Sequence, residues 1–496
     1  MTLSLSYAMM HLTRIVVIFV KVNPNGEVRE LEKTWNTQLP DAVHKIIHIL
    51  EQRGYEAYAV GGCVRDAMLG RQPEDWDITT SAKPEQIKEC FRKTIDTGIA
   101  HGTVTVMINK TGYEVTTYRI DGQYSDNRHP DQVAFTDNLR LDLERRDFTI
   151  NAMAYNPRVG LVDAFGGMED LEKGIIRCVG DAGMRFDEDA LRMLRAVRFA
   201  GQLGFEIAED TLVAIRERYQ NLAHISAERI RVEMDKLLTS PHPDRIRLAC
   251  ETGMTSVFLP EFDAMMTVEQ QNPHHIYTVG EHTIQSIKNM YEIVCGAERA
   301  ITKQERSILA FTMLLHDIGK PACKTVGEDG CGHFHGHPKV SRDMAKEILK
   351  RLTFDNYRRD IICRLIFWHD LRIEPEKPAV RRAASKIGAD IMEYYFMVCH
   401  ADILAQNPAM HQEKLQRLEQ VKILYRQIQE EQQALTVGEL AVNGTDILAM
   451  GVPPGKAVGE MLQYLLNCVL DEPERNEKET LLTMIKEKLK EEKECH

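Results

Sequence analysis

Apolar positions along this 496-residue chain change their period near residue 165. Before that point, short alternating runs are mixed with helical ones. Leu39, Val43, Ile46, Ile47 and Leu50 recur at helical spacing, so a helix is expected over about 37–52. Tyr55 to Val60 reads as a strand running into a Gly61-Gly62 turn. Trp76 to Thr79 reads as a second strand and Pro84 to Phe91 as a helix. Thr103–Ile108 and Tyr113–Ile120 alternate polar and apolar residues on either side of Thr111-Gly112, a hairpin pattern. From Asp187 onward the strand signals fade. Helical periodicity dominates 187–270, 280–425 and 455–492, and no internal repeat is evident. The expected fold class is therefore α+β, with an α/β head followed by an all-α remainder.

The length calls for two to four domains. The net charge of −12 argues against indiscriminate polyanion binding but leaves room for a local basic groove. Eleven cysteines without a CxxC pair favour a reduced, cytoplasmic protein and disfavour a cysteine zinc site. The apolar run Ile15–Val20 is far below the roughly 20 residues that span a bilayer. It lacks a small-residue cleavage site, so neither a membrane anchor nor a signal peptide is expected. The charge-dense stretch Glu474–Glu492 reads as a solvated helix.

Chemistry enters at Gly61-Gly62-Cys63-Val64-Arg65-Asp66, followed by Asp75-Trp76-Asp77. In a strand, residues two apart share a face, so Asp75 and Asp77 would present paired carboxylates. Hard cations such as Mg²⁺ take carboxylate and phosphate oxygens together. Glycines let the backbone approach phosphates, and Arg65 supplies a planar donor. In Arg145-Arg146-Asp147-Phe148-Thr149-Ile150-Asn151, the arginines suit a triphosphate, while Asp147 and Asn151 could bond a ribose hydroxyl. The same residues would also serve as a charged cap on a core helix. In Glu188-Asp189-Ala190-Leu191-Arg192, Asp189 and Arg192 would be helix neighbours at i, i+3. Taken alone they are an intrahelical ion pair. Beside a nucleotide, one acceptor and one donor match the pairing edges of cytosine and adenine and mismatch guanine and uracil.

The order of these motifs resembles that of class II CCA-adding tRNA nucleotidyltransferases and their poly(A) polymerase relatives, over about residues 40–270. The resemblance implies a palm-like nucleotidyltransferase head at 36–165 after an N-terminal extension, 1–35, of unassigned role. A helical neck would follow at 166–275, carrying the nucleotide-selecting helix. It places Mg²⁺ on Asp75 and Asp77, with Glu114 as the third carboxylate. It puts nucleotide contacts on Gly61, Gly62, Arg65, Arg146, Asp147, Asn151, Asp189, Arg192, Arg195 and Arg198. Partners would be CTP, ATP and tRNA, with no membrane. The turn-rich segment Asp121–Pro130 resembles the flexible loop with which CCA-adding members switch from C to A. Poly(A) polymerase and partial C-only or A-only activities stay as alternatives.

A second constellation begins at Leu314-Leu315-His316-Asp317, a histidine and an aspartate closing an apolar helix. With His282 upstream and His335, His337, His369 and Asp402 downstream, it resembles the HD domain of metal-dependent phosphohydrolases. That likeness implies a ligand set of His282, His316, Asp317 and Asp402 for a transition metal, with His337 and His369 as further ligands or phosphate contacts. The HD segment would span 276–410 and a tRNA-gripping helical tail 411–496. An RNA-binding HD hydrolase with a non-catalytic head is the alternative from another class.

Overall fold

The computed structural model describes residues 15–22, 28–35, 39–121, 133–328 and 330–494. They form two compact units, one built from residues up to Ile230 with Glu251–Val257, the other from Arg231–Cys250 with Phe258 onward.

The first unit contains a seven-stranded mixed sheet. Its order is Gly160–Asp163, Met153–Asn156, Ala57–Val60, Ile78–Thr80, Thr111–Thr117, Thr103–Ile108, Thr94–Gly98. Neighbours pair antiparallel except Ile78–Thr80 with Thr111–Thr117, which run parallel with Ile78 opposite Val115. That register brings Asp77 and Glu114, each one residue earlier, to the same end of adjoining strands. Ile78, Val104, Val106 and Val115 fill the core beneath, at 1% exposure or less. Helix Asp41–Gln52 buries Val43, Ile46, Ile47 and Leu50, the face its spacing predicts.

Two local expectations are corrected. The second strand begins at Ile78, not Trp76, so Asp75 and Asp77 lie on the segment leading into it rather than within it. The hairpin turn is Asn109-Lys110, with φ of 49° and 67°, and Thr111 and Gly112 already pair with Ile108 and Met107. Two successive positive φ values make the tight turn whose twist matches the strands, and asparagine tolerates that conformation. Ile15–Val22 and Val28–Trp35 form an antiparallel hairpin of their own. The Asp121–Pro130 segment lies outside the described residues from Gly122 on.

The second unit is helical, apart from a two-strand ladder of Thr325–Val326 with Gly332–His333. Helices Val279–Cys295, Lys303–Leu315, His337–Arg351, Asn356–Trp368 and Met392–Leu404 surround a core that includes Phe311, Leu314, Leu315, Leu365 and Phe396. The Phe311 and Phe354 rings meet edge-on, 4.7 Å between centroids. Lys303–Leu315 starts at a capping box of Thr302 and Glu305, which satisfies two otherwise orphaned N–H groups. Helix Lys478–Glu494 is not fully solvated, because Leu481 and Ile485, one turn apart, are completely buried.

Truncating Phe311 leaves a void that close-packed neighbours fill only in part. Phe311→Ala should therefore cost about 3–5 kcal/mol, read as a lower urea midpoint for loss of helical circular dichroism.

Candidate functional site

Gly61 holds φ at +84°, where side chains are strained, and caps helix Gly62–Met68. A Cβ there would also stand 2.9 Å from Arg146 Nη1, so the turn requires glycine twice over. The short helix that follows delivers Arg65, which is 8% exposed. Its Nη1 donates to Asn151 Oδ1 at 2.6 Å and its Nε to Asp66 Oδ1 at 2.9 Å.

Asn151 passes the connection on, donating through Nδ2 to Asp147 Oδ1 at 3.1 Å. Asp147 Oδ1 also accepts from the Phe148 amide, and Oδ2 accepts from Arg195 Nε and Nη2 at 2.9 and 2.6 Å. Burial works against the Asp147 carboxylate, but Arg195 and Asn151 outweigh it and hold its pKa far below the usual range. Three guanidiniums then gather around the Phe199 ring, with Arg198, Arg65 and Arg195 at 3.7, 5.0 and 5.5 Å from its centroid. Thus glycine turn, Arg-Arg-Asp segment and the later helix form one network. Asp147 and Asn151 are both already engaged within it.

Asp189 and Arg192 are not stacked on one helix. Asp189 ends helix Ala182–Glu188 in an extended conformation, φ −142° and ψ 103°, ahead of helix Leu191–Leu203. One oxygen accepts from the Leu191 amide at 3.1 Å, and the other from Arg229 Nη2 at 2.8 Å. Arg192 instead binds Glu188 Oε2 at 2.5 Å and the Arg145 carbonyl at 3.0 Å. The expected Asp189–Arg192 ion pair is therefore replaced by two separate pairs, which keep a carboxylate and a guanidinium apart. Glu188 was legible as the i, i+4 partner of Arg192. Arg229, forty residues away, left no sequence signal.

Asp75, Asp77 and Glu114 are exposed at the mouth of the sheet. Asp77 and Glu114 line a cavity of about 190 Å³ with Arg119, Arg145 and Arg146. Much of Asp77 stays open to solvent. Even so, the protein packed around its carboxyl raises the pKa above normal, Arg146 pulls it down, and Glu114 and Asp75 push it up. Carboxylates that disfavour one another's charge while facing a phosphate-sized cavity fit a hard divalent cation. Asp142, overlooked in the sequence, is fully buried and anchors both arginines. Arg145 Nη2 lies at 2.7 Å and Arg146 Nη2 at 3.6 Å from its oxygens. Its spacing of three and four residues from them was the available signal.

The second constellation also assembles, in the helical unit. His282 Nε2 lies 2.8 Å from Asp402 Oδ1 and 3.5 Å from Asp317 Oδ2, and His316 Nε2 lies 3.3 Å from Asp317 Oδ2. His337 and His369 are part of the cluster, with Nε2 atoms 3.4 and 3.6 Å from Asp317 Oδ1. His335 stacks on His333 instead and lines the neighbouring cleft. The Nδ1 atoms of His282, His316, His337 and His369 face the carbonyls of Ala405, Met313, Phe334 and Ile366 at 2.7–3.1 Å. A carbonyl has no proton to give, so each Nδ1 donates, and in the neutral ring the lone pair sits on Nε2. All four lone pairs point inward.

Asp317 is wholly buried. Among the described residues neither of its oxygens accepts a hydrogen bond of good geometry, although Lys320 Nζ is 2.7 Å away. Burial lowers the pKa of His316, but Asp317 and Asp402 more than reverse this and hold it at about 10. The site thus selects positive charge, and its mixed nitrogen and oxygen donors suit a transition metal.

A mixed-sheet head presenting glycine turn, carboxylates and arginines, continued by helices, is the nucleotidyltransferase class. Residues 57–177 match the family model "Poly A polymerase head domain", and 204–266 match "Probable RNA and SrmB-binding site of polymerase A". Residues 337–485 match a model of tRNA nucleotidyltransferase domain 2. A crystal structure of a Bacillus stearothermophilus CCA-adding enzyme in complex with CTP superposes with a TM-score of 0.68 at 31% identity, covering 93% of this chain and all of that one. The chain belongs to the family of CCA-adding enzymes and poly(A) polymerases. Curated relatives include CCA-adding enzymes of Lactiplantibacillus plantarum, 46% identical over 52% of this chain and 63% of the relative, and Geobacillus thermodenitrificans, 53% identical over 43% and 53%. The chain thus spans between half and two thirds of those curated relatives. A Thermotoga maritima CCA-adding enzyme complexed with tRNA shares the fold, with a TM-score of 0.54 at 20% identity over 90% of this chain and 95% of that one.

Because Arg229 holds Asp189, Arg229→Met should blur discrimination between nucleotides. The ratio of kcat/KM for CTP over GTP should fall by about 10-fold, the equivalent of one charged hydrogen bond of roughly 1.4 kcal/mol. An unchanged ratio would detach Arg229 from base choice.

Proposed function

We propose that this chain adds CCA to tRNA, transferring CMP and AMP from CTP and ATP to the 3′ end. The 3′ oxygen bonds to the α-phosphorus, the α–β phosphoanhydride bond breaks, and pyrophosphate leaves. The observation that carries this reading is the single network from Gly61 and Arg65 through Asn151 and Asp147 to Arg195, set beside the carboxylate cluster. Asp75, Asp77 and Glu114 would hold Mg²⁺, which supplies charge neutralisation for the triphosphate and the departing pyrophosphate. Arg65, Arg195 and Arg198, gathered on Phe199, give the triphosphate fixed positive charge, so little reorganisation is required during transfer.

Asp189 offers an acceptor and Arg192 a donor to the base edge, each steadied from behind by Arg229 and Glu188. Asp147 and Asn151 orient the ribose side of the pocket. The relatives' printed name, CCA-adding enzyme, supports CCA addition over poly(A) synthesis. No helix among the described residues is long and apolar enough to cross a membrane, and tRNA as substrate points to the cytoplasm.

A second reading rests on a separate observation, the four inward Nε2 atoms around Asp317 and Asp402. His282, His316, Asp317 and Asp402 would hold a transition-metal ion in an HD-type phosphohydrolase centre, acting alongside the head.

With a tRNA lacking its 3′ CCA, single-turnover extension in Mg²⁺, CTP and ATP should give ordered C, C, A and then stop. A long A tract, or one A only on a tRNA already ending in CC, would move the chain to a poly(A) or A-adding activity. Asp77→Ala should abolish incorporation of both nucleotides, and retained transfer would remove the carboxylates from the mechanism.

A further inference from the structure

We propose that the helical unit binds two divalent cations rather than one, with the Asp317 carboxylate shared between them, and that the pair hydrolyses a phosphate ester of nucleotide size. This rests on the reading of that centre as metal-binding. The two oxygens of Asp317 address different histidine pairs. Oδ2 faces His282 and His316 at 3.5 and 3.3 Å, and Oδ1 faces His337 and His369 at 3.4 and 3.6 Å. Within each pair the Nε2 atoms stand 3.3 Å apart. Two ligands bound tetrahedrally to one cation at ~2.0–2.1 Å are ~3.3 Å apart, so each pair is spaced to share an ion. Asp402 Oδ1, 2.8 Å from His282 Nε2 and 3.5 Å from His316 Nε2, completes the first set. The second set has three protein donors and keeps room for a further ligand.

The rings are fixed before any ion arrives, because every Nδ1 is tied to a carbonyl. A buried carboxylate with both oxygens short of hydrogen bonds is costly alone and well placed between two cations. Two ions ~3.5–4 Å apart clamp the attacking and leaving oxygens of phosphoryl displacement.

The centre opens on two adjoining lobes of about 490 and 460 Å³, both lined by Asp402 and His369. The second lobe sets Arg372, Lys414 and Arg417 against Leu371, Ile373 and Tyr395. Cationic groups beside an apolar and aromatic wall suit a phosphate joined to a nucleobase. In the reaction a water oxygen bonds to phosphorus, the ester P–O bond to the sugar breaks, and the sugar oxygen takes up a proton.

The test is metal counting on the full chain. Protein is loaded with Mn²⁺ and desalted. Bound metal is measured by mass spectrometry, and spin coupling by electron paramagnetic resonance. Two equivalents with a coupled-pair signal are expected, and one uncoupled equivalent in His337→Gln and in His369→Gln. Nucleotide incorporation by the head, unchanged in both variants, shows that they fold. One equivalent in the wild type, unaltered by either substitution, overturns the pair and leaves the single-ion reading standing. No bound metal removes both. The loaded wild type should hydrolyse bis(p-nitrophenyl) phosphate or p-nitrophenyl phosphate, and both variants should lose that activity. Two bound ions with neither ester cleaved would overturn the hydrolytic half.

Discussion

The buried carboxylate of Asp147 is the constraint on which the head depends. It is 9% exposed and accepts from a backbone amide, an asparagine and a forked guanidinium at once. Remove it, and Arg195 loses its anchor, Asn151 loses the group that orients it toward Arg65, and three guanidiniums around Phe199 face one another without compensation. A buried charge is tolerated only when paired and fully bonded. Here that requirement ties the turn after the first head strand to a helix more than a hundred residues later.

The same electrostatic logic governs the other unit with opposite emphasis. In the head, anionic side chains keep guanidiniums in place around a space for polyphosphate. Around Asp317 the protein instead converges neutral donors and carboxylates on a point where positive charge is the missing component. A chain with a net charge of −12 can therefore serve polyanionic ligands by arranging its cations locally, and the overall charge says little about either pocket.

What could be read from the sequence follows the range of the interactions. The amphipathic helix at Asp41–Gln52 and the strands around the glycine turn are set by local periodicity and were legible. So was the assembly of the motif residues, because each motif carries its own chemistry. The partners were not. Asp189 is held by Arg229 across forty residues of chain, and no spacing rule reaches that far. Asp189 also falls in a break between two helices, whereas helical periodicity runs straight through it. The Asn109-Lys110 turn was obscured because lysine seldom takes a left-handed conformation, so the eye moves to Gly112. The roles of His337 and His369 were left open between ligand and phosphate contact, since only the fold shows that both nitrogens meet the far oxygen of Asp317.

The carbonyl ties of the histidines have one more effect. His316 and His369 sit at the C-terminal caps of their helices, and each ring bonds the carbonyl three residues back, a group the helix itself leaves without a partner. These side chains are thus stoppers as well as donors. An alanine scan of the centre would confound the two, because fraying of a helix end and loss of a coordinating atom arrive together. The cluster and the ends of its helices are one cooperative piece of architecture, and neither can drift in evolution without the other.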